Sequence, residues 1–204
     1  FGLTMAVGRY EARRAAVVLE ANAIGTTYLR AQTLAEPMRT ESLELLKRYG
    51  DARIALSDSV PDSAKFVAAS KESVDLQNRL WALAGDALNA APTASAPRLY
   101  VETLNEMIDA HTTRVAALEN RIPAPVLWLQ ILASALALAV LSMFLGAHDR
   151  GLLMALVVAG LVTIMLLVIF DLDRPYRGFI QIPDGPIVAV RQSMDEPPAA
   201  SAPP

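Results

Sequence analysis

The chain has 204 residues, 18 basic against 21 acidic side chains, a formal net charge of -3 and a 53% hydrophobic fraction. So mild a charge leaves no electrostatic footprint for nucleic acid. With no cysteine, there is no disulfide framework, thiolate metal site or cysteine nucleophile. G-x-S-x-G, H-E-x-x-H, P-loop and G-x-G-x-x-G patterns are absent, so nothing points to an enzyme, a cofactor or a metal.

In chain order, the opening FGLTMAVG reads as the end of an apolar helix that begins upstream, with at least one further transmembrane segment expected before Phe1. Residues 1–34 contain no proline and read as one long helix leaving the membrane. It is apolar to Gly8, then carries Arg9, Tyr10, Glu11, Arg13 and Arg14, a mix of aromatic and basic residues suited to a cytoplasmic membrane boundary. Pro37 ends it. Residues 41–56 read as a second helix with Leu43, Leu46 and Ile54 on one face. Pro61, Asp62 and Ser63 break the chain, and Asp62 or Ser63 is the expected N-cap of a third helix over 63–90. Its apolar stripe is Leu76, Leu80, Leu83 and Ala87, with Trp81 beside it. The loop APTASAP precedes a fourth helix over 98–120, whose expected seam is Val101, Leu104, Ile108, His111, Val115 and Leu118. His111 reads either as a packed, hydrogen-bonded histidine or as a pH sensor.

Two uncharged runs follow: residues 124–147 (APVLWLQILASALALAVLSMFLGA) and 151–170 (GLLMALVVAGLVTIMLLVIF). A helix rises about 1.5 Å per residue, so about 20 apolar residues cross a hydrocarbon core ~30 Å thick. Only His148, Asp149 and Arg150 join the runs, which makes a transmembrane hairpin. Neither run has a charge that could serve as a transport site. Beyond it, FIQI and PIVAV read as possible extended pieces, and EPPAASAPP as a disordered tail. Arginines cluster after Gly8, before the hairpin (Arg114, Arg121) and after it (Arg174, Arg177), while the link is neutral. Residues 9–123 and the C-terminal segment are therefore expected in the cytoplasm, beneath an inner (plasma) membrane, with the link outside.

Three segments carry a family resemblance. Phe1, Thr4, Arg9 and Tyr10 are similar to F-x-x-T-x-x-x-x-R-W at the end of the second transmembrane helix of bestrophin anion channels. Pro125, Leu127, Trp128 and Gln130 resemble P-x-x-Y-x-Q in their third, and Asp173-Arg174-Pro175-Tyr176 stands where they have N-P-F. RYEARR, EANAIGTTYLRA, LLKRYGDAR, the RIP before the hairpin and LDRPYRGF resemble more closely a bacterial group of bestrophin-like membrane proteins, over nearly the whole chain to about Phe179. The resemblance implies a homopentamer around a central pore that passes chloride or other small anions. Phe1 would sit in a narrow apolar neck, with Thr4, Met5 and Gly8 further along the same helix. Such a ring gates by dewetting, and phenyl edges tolerate an anion. The alternative for Phe1 is simple packing against a helix or lipid. The acidic run that follows N-P-F in bestrophins and clasps calcium is missing here, since Asp171 and Asp173 precede Pro175. Calcium gating of that kind is not expected.

Three constellations stand out. Glu20 lies among Val17, Val18, Leu19, Ala21, Ala23 and Ile24, so its carboxylate is expected to be buried and paired with Arg114 or Arg121, with Arg30 next. That pair is either a structural lock or an ion- or pH-responsive gate. Arg9, Arg13 and Arg14 form a basic ring at a pore mouth or a lipid-phosphate anchor. Asp171 and Asp173, at an unfavourable helix end, are expected to pair with Arg174, Arg177 or a neighbouring subunit. The sequence thus predicts an all-α integral membrane protein with a cytoplasmic helical bundle, either a passive anion channel or a non-conducting oligomeric scaffold or stress sensor.

Overall fold

A computed structural model describes residues 2–60, 63–145, 151–174 and 178–196. Among them are seven α-helices and no strand: α1 Gly2–Ala31, α2 Met38–Ser57, α3 Ala64–Ala90, α4 Ser95–Glu119, α5 Ala124–Leu145, α6 Gly151–Leu172 and α7 Gly185–Ser193. They form two compact units, Phe1–Ala12 with Leu118–Ile182, and Arg13–Ala117 with Pro183–Pro204. Phe1, Pro61, Asp62, the link at 148–150, Pro175 to Arg177 and the tail from 197 lie outside the described residues.

Local chemistry sets the helix boundaries. At the start of α2 the Glu36 carboxylate accepts the Thr40 N–H at 3.2 Å and the Thr40 hydroxyl at 3.0 Å, covering a donor that no helix carbonyl reaches. Ser63 caps α3, its Oγ accepting the Phe66 N–H at 3.1 Å. α4 begins at Ser95, three residues earlier than expected, because Pro97 fits the first turn, where its missing N–H costs nothing. PIVAV is helical, against the extended reading. Asp184 O accepts the Ile187 and Val188 N–H groups at 2.8 and 3.2 Å, and Pro186 again sits in a first turn. Burial of Ile187 on the face that also carries Val190 overrides the β preference of the branched residues.

The larger unit is a helical bundle. Ile24, Tyr28 and Ala31 of α1 meet Leu45, Leu46 and Tyr49 of α2, Leu76, Leu80, Ala84 and Ala87 of α3, and Tyr100, Leu104 and Met107 of α4. Met194, just past α7, joins this core and its carbonyl accepts the Tyr28 hydroxyl at 2.9 Å. Two helices are rotated from the sequence reading. On α2 the buried face is Leu45, Leu46, Tyr49, Arg53 and Leu56, while Leu43 and Ile54 flank it. On α4 the buried line is Tyr100, Leu104, Met107, Ala110 and Arg114; Val101, Ile108 and His111 border it and Val115 is exposed. On α3 Leu76, Leu80 and Ala87 are buried, half-buried Leu83 packs against the same core, and Trp81 stands exposed beside the stripe.

In the smaller unit α5 packs against α6. A 22-residue helix is about 33 Å long, enough to cross a hydrocarbon core. No residue of α5 is buried, and α6 buries only Gly151, Ile169 and Leu172. Leu129, Leu132, Leu136, Leu153, Leu161 and Ile164 all face outward. An apolar surface of this extent marks a membrane or partner interface. Trp128 lies near the start of α5, where an aromatic belt residue sits at the headgroups. Ala6, Ile122, Ile169 and Leu172 form a small core, with Leu3, Tyr10, Val126 and Leu127 against it. The Gln130 side chain occupies the space a Cβ on Gly2 would fill, so glycine there permits close helix contact.

Candidate functional site: a buried ion cluster and the exposed face of α1

Glu20 is fully buried at the meeting of α1, α2 and α4. Its Oε2 accepts Arg114 Nη1 at 2.7 Å and Arg53 Nη2 at 3.3 Å. Its Oε1 lies 2.8 Å from Arg53 Nε, 3.4 Å from the Tyr49 hydroxyl and 3.5 Å from His111 Nδ1. The guanidiniums are also enclosed, Arg53 being 1% and Arg114 6% exposed. Further contacts extend the network: Arg114 Nη2 donates to Ser57 Oγ at 2.8 Å, and Gln77 Nε2 of α3 donates to the Tyr49 oxygen at 3.1 Å. Burial by itself would raise the Glu20 pKa. The His111 contact and the charges of Arg53 and Arg114 outweigh it and hold the carboxyl well below the ordinary carboxylate range. Burial pushes the Tyr49 hydroxyl far above its usual value. Both groups stay in one protonation state at neutral pH.

Arg53 is the partner that sequence reasoning missed. It occupies the place given to Arg121, which is exposed in the smaller unit, and Arg30 is exposed on α1. The available signal was the i, i+4 spacing of Tyr49 and Arg53, which puts a phenol and a guanidinium on one face. It becomes readable only once the buried face of α2 is known.

The α1 residues divide by face. Thr4 and Gly8 are exposed, Met5 and Arg9 are half-buried, and Phe1 lies outside the described residues. Arg13 is buried, with its Nε donating to Ala117 O at 3.1 Å, whereas Arg14 is exposed. A ring built from all three arginines is therefore corrected: Arg13 serves the bundle interior. The two acids at the end of α6 take backbone donors. Asp173 Oδ1 accepts the Ile122 N–H at 2.8 Å, and the Asp171 oxygens accept Phe179 N–H and Ile180 N–H at 2.7 and 2.8 Å. Neither pairs with Arg174, and Arg177 lies outside the described residues.

An outward-facing apolar hairpin and an all-helical bundle closed around an ion cluster define a helical membrane protein. A family model, Bestrophin-like domain, matches residues 1–187, and the chain belongs to that family. Bestrophin family proteins are generally ion channels, oligomeric and membrane-embedded. No curated protein and no solved structure matches the chain.

Proposed function

We propose that the protein is an oligomeric ion channel that conducts anions such as chloride passively, with α1 of each subunit, in a homopentamer, facing a central axis. The observation that carries this reading is the exposed face of α1. One side of the helix is buried through Ala6, Arg13, Ala16, Val17, Glu20, Ala21, Ile24, Thr27, Tyr28 and Ala31. The other side, through Thr4, Val7, Gly8, Glu11, Ala15, Val18, Leu19, Asn22, Thr26 and Leu29, is exposed along the 30-residue helix. Its spacings of three and four make a continuous stripe, mainly of small and apolar residues, suited to packing around an axis.

In this arrangement Phe1, Thr4 and Gly8 line the neck, with Met5 at its flank. Arg14 gives the pore mouth positive charge, while half-buried Arg9 stands on another side of α1. Glu11 on the same stripe opposes Arg14, so selectivity rests on the balance of these two residues. Glu20 with Arg53 and Arg114 fixes α1 against α2 and α4, which holds the stripe in position. In this proposal the bundle and C-terminal segment lie on the cytoplasmic side of the inner membrane, a placement that the arginine distribution supports.

The test is reconstitution of the full-length protein in planar bilayers under chloride and sodium gradients. A chloride-selective current altered by Phe1→Ala supports the reading. Silent bilayers with intact oligomers assign the protein to the scaffold class instead.

A further inference from the structure

The C-terminal end of α6 carries a feature that conduction does not use. Residues 178–180 fold back on the helix: Gly178 N–H donates to Arg174 O at 3.2 Å, and the Asp171 carboxylate takes the next two N–H groups. A Cβ at Gly178 would stand 2.8 Å from the Asp171 carbonyl oxygen, so the close return needs glycine. This tether holds Phe179 fully exposed and leaves Ile180 exposed beside it. Between the loop and the helix lies an open groove of about 440 Å³, walled by Leu167, Val168, Phe170, Phe179 and Ile180, with Asp171 and Arg174 at its end. Its helical wall continues the outward apolar band of Leu161, Ile164 and Leu167. Arg174 is exposed and makes no ion pair among the described residues.

We infer that this groove is a phospholipid site: a lipid of the surrounding leaflet lays the glycerol end of an acyl chain against Leu167, Phe179 and Ile180 and places its phosphate on Arg174. A phenyl ring held in water on a tied loop is unfavourable, whereas at the membrane interface the same ring is an anchor. The groove is continuous with the lipid-facing side of α6, which singles out a lipid over a protein segment. Asp171 keeps its charge but spends its oxygens on the Phe179 and Ile180 N–H groups, which leaves the Arg174 guanidinium as the group of the rim that takes a phosphate. The site makes the end of α6 sensitive to anionic lipid in its own leaflet. It rests on α6 crossing the membrane and not on conduction, so silent bilayers leave it standing.

The experiment is photo-crosslinking of the full-length protein in phosphatidylcholine vesicles doped with a phosphatidylglycerol that carries a diazirine near the glycerol end of one acyl chain. Adducts are expected on Leu167, Phe179 or Ile180. Arg174→Glu should lower them several-fold, while labelling of Leu132 and Leu136 on α5 stays constant as the control for insertion. Phe179→Ala, a surface change that folding tolerates, should also lower them. Adducts confined to the α5 and α6 bands, with none at 178–180, overturn the site. Equal labelling of the loop in Arg174→Glu overturns it too.

Discussion

Glu20 is the residue on which the bundle depends most. Its two oxygens neutralise one of two buried guanidiniums and share hydrogen bonds with both. Removing one partner of a buried, hydrogen-bonded pair costs about 3–5 kcal/mol, because the remaining charge stays buried without compensation. Glu20→Gln should therefore lower the melting temperature of the purified protein sharply, and Arg53→Met or Arg114→Met should lower it less, because the other guanidinium still compensates Glu20. A double-mutant cycle on Glu20 and Arg53 should show strong coupling; additivity would break the pairing. The pH dependence has a definite sign. The folded carboxyl titrates below its ordinary value of 4.5, so its stabilisation is complete above that pH and is lost as pH falls below it. The wild-type melting temperature should drop on acidification below about 4.5, and Glu20→Gln, lower throughout, should lose most of that slope. Tyr100, whose hydroxyl burial pushes up to about 12, adds nothing to this window.

At the scale of elements, α7 shows how packing decides conformation. Its isoleucine and valines favour a strand, yet Pro186 starts a helix and Ile187 buries fully. Outside that contact α7 is tied to α2 by Arg191, which pairs with Asp51 at 2.7 Å, and by Asp195, which accepts Lys47 at 2.9 Å. Asp51 and Asp195 are exposed and their cations half-buried, and pairs at such a surface contribute about 1 kcal/mol or less each. Ile187→Ala, by contrast, removes buried volume at a cost of about 2–5 kcal/mol. Hydrogen exchange over 185–193 should therefore accelerate strongly in Ile187→Ala and little in Arg191→Ala; the reverse order would mean that the ion pairs hold the segment. The number and extent of the longer helices were legible from periodicity, proline and capping residues. The rotation of α2 and α4 was not. On α2, Leu43, Leu45 and Leu46 offer more than one apolar face. On α4, Val101, Ile108 and Val115 match a seam as regular as the one formed by Tyr100, Leu104 and Met107. Only the shape of the neighbours decides which side fills the core.

For the whole molecule, the proposed subunit contact lies on the exposed face of α1. Ala15→Glu or Val18→Glu places a charge on that stripe without touching the bundle core. Either should dissociate the oligomer in mild detergent, measured by light scattering, with helical content unchanged; an intact oligomer would move the subunit contact elsewhere. If the oligomer conducts, Glu11→Gln should raise anion over cation permeability and Arg14→Glu should lower it, both read from reversal potentials in a salt gradient. The Arg13→Gln variant should change stability more than selectivity, since that side chain is buried. Chelation of calcium should leave the current unchanged, because the Asp171 and Asp173 carboxylates near the end of α6 are already engaged by backbone N–H groups.

The candidate site was half legible. A carboxylate set among aliphatic residues must be buried and must find a cation, so Glu20 stands out from its sequence neighbours alone. Which cation it finds is a question of helix rotation, and Arg53 carries no local mark of its partner. The arginines after Gly8 were visible as a group, but their faces were not: they fall in one short stretch, and a helix turns them to different sides. By itself the sequence determined the apolar hairpin, the helical bundle and the family, because hydropathy and helix signals are local and accumulate along the chain. Tertiary structure alone decided which side of each helix is buried, which guanidiniums close on Glu20, and that Asp171 and Asp173 bind backbone N–H groups and not Arg174. Those outcomes depend on contacts between residues distant in sequence, whose geometry no local pattern encodes.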